Sequence, residues 1–173
     1  MVSGHAARGG NREVGERSRG VGADTFPCGG SPDEEIDTMT EQMTLGELIM
    51  ALQKCPPEAI CRTGRWGSPT NPHSYRGYYD HLALEVGERK PVAAVLDMLE
   101  QACGETYEGY KGGDFTMGSS TPVWLAEQGV STGDMIVGVY RAVDGIDSEV
   151  VIATRNDPYQ EMQLVDPYLV EEN

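Results

Sequence analysis

Two polar stretches of the chain gather the side chains that can grip an anionic, planar ligand. One runs from Gly64 to Tyr79 and contains "NPHSYRGYY"; the other, Tyr107 to Thr121, reads "YEGYKGGDFTMGSST". Each combines glycines and tyrosines with a cation, Arg76 in the first and Lys111 in the second. Glycine lets a backbone amide approach a ligand closely, arginine offers a planar fork of donors, lysine adds a point charge, and tyrosine or tryptophan faces stack on rings. On that chemistry Arg76 and Lys111 are the expected anion contacts. Tyr75, Tyr78, Tyr79, Tyr110 and Trp124 are the stacking faces, and Ser74, Asp114 and Thr116 orient polar groups. Gly112 and Gly113 supply open backbone beside Lys111. The expected partner is a nucleotide-like small molecule bearing phosphate. The plainer alternative is that these residues only form turns and border the core, which is ordinary work for glycine in loops. "GYKGGDFT" is not a Walker loop, because its lysine precedes the glycine pair, and no GxGxxG follows a strand.

Catalytic readings have less to build on. His73 and His81 belong to no HExxH or paired-histidine motif. A metal held by His73, Asp80 and His81, with Cys61 as a distant fourth ligand, has no diagnostic spacing, so neither a metal nor a cofactor is expected. A hydrolase or transferase using those same three residues is the remaining enzymatic alternative. Cys55 abuts Pro56, and Cys103 falls on the apolar stripe of a predicted helix, where packing explains it.

The elements that position the two stretches are legible from period and punctuation. In "MTLGELIMALQKCPPEA", Thr44 and Glu47 make a capping box, and Leu45, Leu48, Ile49 and Leu52 line one helical face until Pro56-Pro57. Ala59 to Thr63 is a short strand, and Gly64 to Gly77 reads as a long irregular connection. Tyr78 to Glu85 is a strand with Leu82 and Leu84 on one face and Ala83 on the other. Strict alternation then puts Tyr78 and Asp80 on the core side, and Tyr79 and His81 opposite. A second helix spans Pro91 to Cys103, with Val92, Val95, Leu96, Leu99 and Cys103 on its stripe and Gly104 as its stop. Val123 to Ala126 is a strand beginning after Pro122 or lying on an edge. Met135 to Val143 and Glu149 to Thr154 form a hairpin around "DGID". This order predicts an α+β fold: one domain, a mainly antiparallel sheet, and two helices packed on one face.

The totals bound the rest. A chain of 173 residues suits one domain, and thirteen basic against twenty-eight acidic residues, a net charge of −15, argue against a nucleic-acid groove. Four cysteines without CxxC spacing fit reduced thiols in the cytoplasm. No apolar run is long enough for a membrane helix, and the amino terminus has no secretory h-region. Residues 1–42 are expected to be a disordered leader, residues 43–155 the folded domain, and residues 156–173 an acidic tail on its surface. Met39 and Met43 stand directly before the first helix, and translation starting at one of them would make the leader a misplaced gene start. The intact mass of native protein decides that expectation.

"MTLGELIMAL", "HSYRGYYDHLALE", "TYEGYKGGDFTM" and "STPVWLAEQG" together resemble a widespread group of small proteins encoded by bacteriophages and prophages. The resemblance covers roughly Met43 to Val139 and brings no established catalytic residues. It implies a viral accessory protein acting inside the infected cell by binding, either sequestering a nucleotide signal of antiviral defence or blocking a host protein. A homo-oligomer fits both. A concave cavity with inward Arg76 and Lys111 favours the small molecule, and a flat exposed aromatic patch favours the protein partner.

Overall fold

The structure, a computed structural model, describes residues 41–64, 67–141, 149–156 and 163–168. The expected leader up to residue 40 and the "DGID" turn lie outside the described residues. The elements are α1 (Leu45–Gln53), β1 (Ile60–Thr63), β2 (Ser68–Tyr75), β3 (Tyr78–Gly87), β4 (Lys90–Pro91), α2 (Val92–Ala102), β5 (Thr106–Glu108), β6 (Asp114–Thr116), β7 (Val123–Leu125), β8 (Asp134–Arg141), β9 (Glu149–Thr154) and β10 (Gln163–Leu164). They make the expected α+β domain with a mainly antiparallel sheet. The strand order is β2-β3-β7-β8-β9-β1-β4, with β10 added alongside β8, and β5 and β6 form a separate hairpin. Among the described residues only the pairs β3–β7 and β1–β9 are parallel. Among the described residues no helix is long and apolar enough to cross a membrane.

The start of α1 forms as its local chemistry dictates. Thr44 Oγ1 accepts from the Glu47 amide at 3.3 Å, and Glu47 Oε2 accepts from the Thr44 amide at 2.8 Å, satisfying two donors that a helix start leaves open. Leu45, Leu48, Ala51 and Leu52 are buried, while Ile49 is only half-buried. From α2, Val92, Val95, Leu99 and Ala102 join them over Leu82, Leu84, Val123, Ile136 and Ile152 of the sheet. Each fully buried leucine or valine contributes about 1.5–3 kcal/mol to holding the helices there.

Four expectations need correction. The stretch read as an irregular connection contains β2, an edge strand paired only with β3. Pro69 and Pro72 disguise it, because a residue without an amide is tolerated on an open sheet edge. Asn71, at φ +43°, accompanies a register shift between Thr70 and His73. Cys103 is exposed and lies past the last helical residue; Gly104, at φ +95°, turns the chain away and Ala102 completes the buried stripe. The glycine-rich stretch after Tyr107 is the β5–β6 hairpin in its first part. The acidic tail contributes β10, which pairs with Tyr140 and Arg141, and Val165 is buried behind it.

The sheet curls until its two ends meet. Ser68 Oγ, fully buried at the start of β2, donates to the Cys61 carbonyl at 2.5 Å and accepts from the Lys90 amide at 2.6 Å. Thr63 N also donates to the Gly67 carbonyl at 2.7 Å. The helices cover one face of this sheet; a smaller cluster of Tyr75, Ala83, Trp124 and Ala126 occupies another.

Candidate functional site

The smaller cluster is built as two rings over two. Trp124 Nε1–H donates to His81 Nδ1 at 2.9 Å, so indole and imidazole lie side by side, 20° from coplanar. Tyr75 stacks on the indole at 4.6 Å between centroids, and Tyr78 stacks on the imidazole at 5.0 Å. Tyr75 and Tyr78 are 6.1 Å apart, close to the 6.2 Å between Trp124 and His81, which closes the figure. Parallel β3–β7 pairing sets Ala83 beside Trp124, bringing the imidazole and the indole onto the same side of the sheet. Strict alternation had separated Tyr78 from Tyr79 in the opposite sense. A register irregularity between Ser74 and Tyr75 breaks the alternation, so Tyr78 and His81 share the aromatic block while Tyr79 turns to Phe115.

The inner half of the block is committed to structure. Tyr75 is buried, and its hydroxyl donates to the Ser131 carbonyl and accepts from the Gly133 amide, both at 2.9 Å. Trp124 is buried and has spent its single donor on His81. Ser74 Oγ donates to the Tyr79 carbonyl at 2.8 Å, holding the irregular turn. Tyr78 ends the block on the outside with 56% of its surface exposed.

The second stretch is fixed against this block by packing. Gly109 is buried where its missing side chain leaves room for Phe115 and Tyr79, whose rings sit 5.6 Å apart. The hairpin tip closes through Gly109 N to the Gly113 carbonyl at 2.9 Å and Gly112 N to the Gly109 carbonyl at 2.8 Å. Gly112 and Gly113 take φ of +82° and +99°, which glycine adopts without a Cβ penalty. Tyr110 stands out from this tip with 69% of its surface exposed. The guanidinium of Arg76 lies 4.4 Å over its ring centre, and Arg76 Nη1 donates to the Gly129 carbonyl.

The two stretches therefore meet, at Arg76 and Tyr110. Arg76, Tyr78, Tyr110, Lys111, Gly112, Gly113 and Asp114 are exposed. Thr116 Oγ1 pairs across the hairpin with Thr106 Oγ1 at 2.8 Å. Among the described residues neither Arg76 nor Lys111 is in an ion pair, and both residues are exposed. A third segment, Glu127 to Gly133, completes the arrangement through Gly129 and Ser131, and Gln128 N donates to Glu85 Oε1 at 3.0 Å. Hydrogen bonds from Asn71 and Gln128 hold the Glu85 carboxyl below its ordinary value. Sequence reasoning missed this segment, although the glycines of "EQGVSTGD" mark it as a loop.

Two cavities are present, one on the α1 side and one adjoining the third segment. One, of about 330 Å³, is lined by Met43, Glu47, Val137 and Leu164 among others. The other, of about 380 Å³, is lined by residues of the Leu125 to Asp134 segment. Neither is lined by any of the expected site residues.

His73 and His81 each engage one ring nitrogen in structure. His73 Nδ1 lies 2.9 Å from the Asn71 carbonyl, and among the described residues no group of three histidine, cysteine or acidic side chains can hold a metal. What fold and site define is a single α+β domain carrying an exposed aromatic and cationic surface. No family model matches the chain, and no curated protein and no solved structure is significantly similar to it.

Proposed function

We propose that this chain binds, without turning it over, a phosphate-bearing nucleotide-like molecule on the surface where the β2–β3 turn meets the tip of the β5–β6 hairpin. In that reading it is a viral accessory protein that sequesters such a signal in the host cytoplasm. The observation that carries the proposal is the contact of Arg76 with Tyr110, which joins two distant stretches whose neighbouring Tyr78 and Lys111 are also exposed. A planar base gains from stacking on a tyrosine face, and a phosphate gains from a charged donor, so one ligand uses both. His73 Nδ1 lies against the Asn71 carbonyl and His81 Nδ1 accepts from Trp124, so each ring has only Nε2 left to meet a ligand.

A second reading, docking on a host protein, is favoured by the openness of the surface. Small molecules prefer concave sites, whereas exposed tyrosines and arginines are frequent anchors of protein interfaces. Protein purified from cells is denatured and any released small molecule identified by mass spectrometry, followed by calorimetry against linear and cyclic nucleotides. Lys111→Ala and Arg76→Ala are each expected to cost about 1.5–3 kcal/mol of binding as lost charge-assisted hydrogen bonds. Unchanged affinities in both variants remove the site. No recovered nucleotide and no binding heat favour the protein partner.

A further inference from the structure

We infer that His81 is a recognition residue, presenting a neutral Nε2–H donor to a phosphate oxygen of a ligand whose ring lies on Tyr78. This deepens the nucleotide reading above and rests on it. An indole nitrogen can only donate, so the 2.9 Å bond from Trp124 Nε1 requires a lone pair on His81 Nδ1. The ring proton of the neutral imidazole is then on Nε2. The indole cannot easily turn away from this bond. It is buried, stacked at 4.6 Å on Tyr75, and Tyr75 is itself tied to Ser131 and Gly133.

His81 is half-buried beneath Tyr78, and its Nε2 has no partner among the described residues. The donor is thus pre-set in one tautomer at the edge of an exposed ring, while Arg76 and Lys111 supply the charge that a phosphate requires. The ligand class that uses all of these is a nucleoside phosphate. A free nucleoside lacks the oxyanion, and inorganic phosphate lacks the ring.

The test is nuclear magnetic resonance of the full chain with isotope-labelled histidine, reading ring nitrogens during titration with adenosine and guanosine monophosphates, adenosine, or inorganic phosphate. The expected result is the neutral Nε2–H form of His81 before titration, and a shift of its Nε2 with a monophosphate that adenosine alone does not produce. An Nδ1–H tautomer overturns the inference and leaves the binding surface standing. So does a titration that moves the Tyr78 and Lys111 signals but not His81. A titration that moves none of the three overturns both. As a second measurement, His81→Phe is expected to weaken monophosphate binding about tenfold, while His81→Gln, which keeps an acceptor and a donor, loses less. Equal losses in both variants, or none in either, speak against the donor.

Discussion

Arg76 lies 4.4 Å above the ring centre of Tyr110, and through this contact the β2–β3 turn touches the tip of the β5–β6 hairpin. The same guanidinium holds the Gly129 carbonyl, so one side chain ties together three segments that have no sequence proximity. An arginine used in this way positions the surface as well as charging it. A double-mutant cycle of Arg76→Gln and Tyr110→Leu should show a coupling of about 0.5–1 kcal/mol in urea unfolding, the range for an exposed cation over a ring. Strictly additive losses would mean that the two residues do not hold one another in solution.

The hairpin depends on an absent side chain. A Cβ at Gly109 would come within 2.7 Å of Phe115 Cε2 and 3.3 Å of Tyr79 Cγ, against rings that pack on one another. Gly109→Ala is expected to destabilise the fold by about 1–3 kcal/mol, through overpacking. Gly112 tests the other glycine mechanism: a Cβ there meets nothing within 4 Å, but φ is +82°. Gly112→Ala should therefore cost only about 1–2 kcal/mol, from the left-handed backbone alone. The variants differ in kind: only Gly109→Ala should shift the Tyr79 and Phe115 ring signals.

The cysteines separate by burial. Burial pushes the Cys61 thiol up to about 12, and burial raises Cys55 as well. Since the thiolate is the reactive form, both should resist alkylation until the chain unfolds, whereas Cys103 is exposed and should react in the native state. Peptide mapping after brief iodoacetamide treatment, with and without urea, reads this directly. Native labelling of Cys61 as fast as Cys103 would show that the β1 side of the core opens readily.

How much of this was legible in the sequence depends on how local each signal is. The capping box and the leucine stripe of α1 involve neighbours within two turns, and both residues of the box pair as expected. β2 was hidden because it is held by pairing to β3 and by the bonds of Ser68 to Cys61 and Lys90, all tertiary, while its sequence, with two prolines, resembles a loop. The irregularity between Ser74 and Tyr75 defeated alternation at the very strand end that builds the aromatic block. Residue types did indicate Arg76, Tyr78, Tyr110 and Lys111. Their convergence rests on Gly109, Phe115 and Gly129, whose roles are tertiary and leave no periodic trace.

The segment after β10 is clasped to the start of α1 by Glu47 and Tyr168, and that clasp should respond to pH from both sides. Burial opposes ionisation of Glu47, but hydrogen bonds from Tyr168 Oη at 2.5 Å and from Thr44 N and Oγ1 together outweigh it, so its carboxyl sits below the ordinary 4.5. A lowered folded value means that the stabilisation is present above pH 4.5 and is lost as pH falls through the folded value. The same bond raises Tyr168 above its ordinary 10, so its share is present below pH 10 and is lost as pH rises through the folded value. Glu47→Gln should flatten the acid limb of the urea midpoint against pH and weaken the alkaline one, and Tyr168→Phe should flatten the alkaline limb and reduce the acid one, where the Thr44 bonds remain. In Glu47→Gln the Thr44 cap remains partly served by the amide oxygen, so a limb that disappears there reports the charge and not the loss of the helix start. Identical pH profiles for wild type and both variants would mean that the clasp is open in solution.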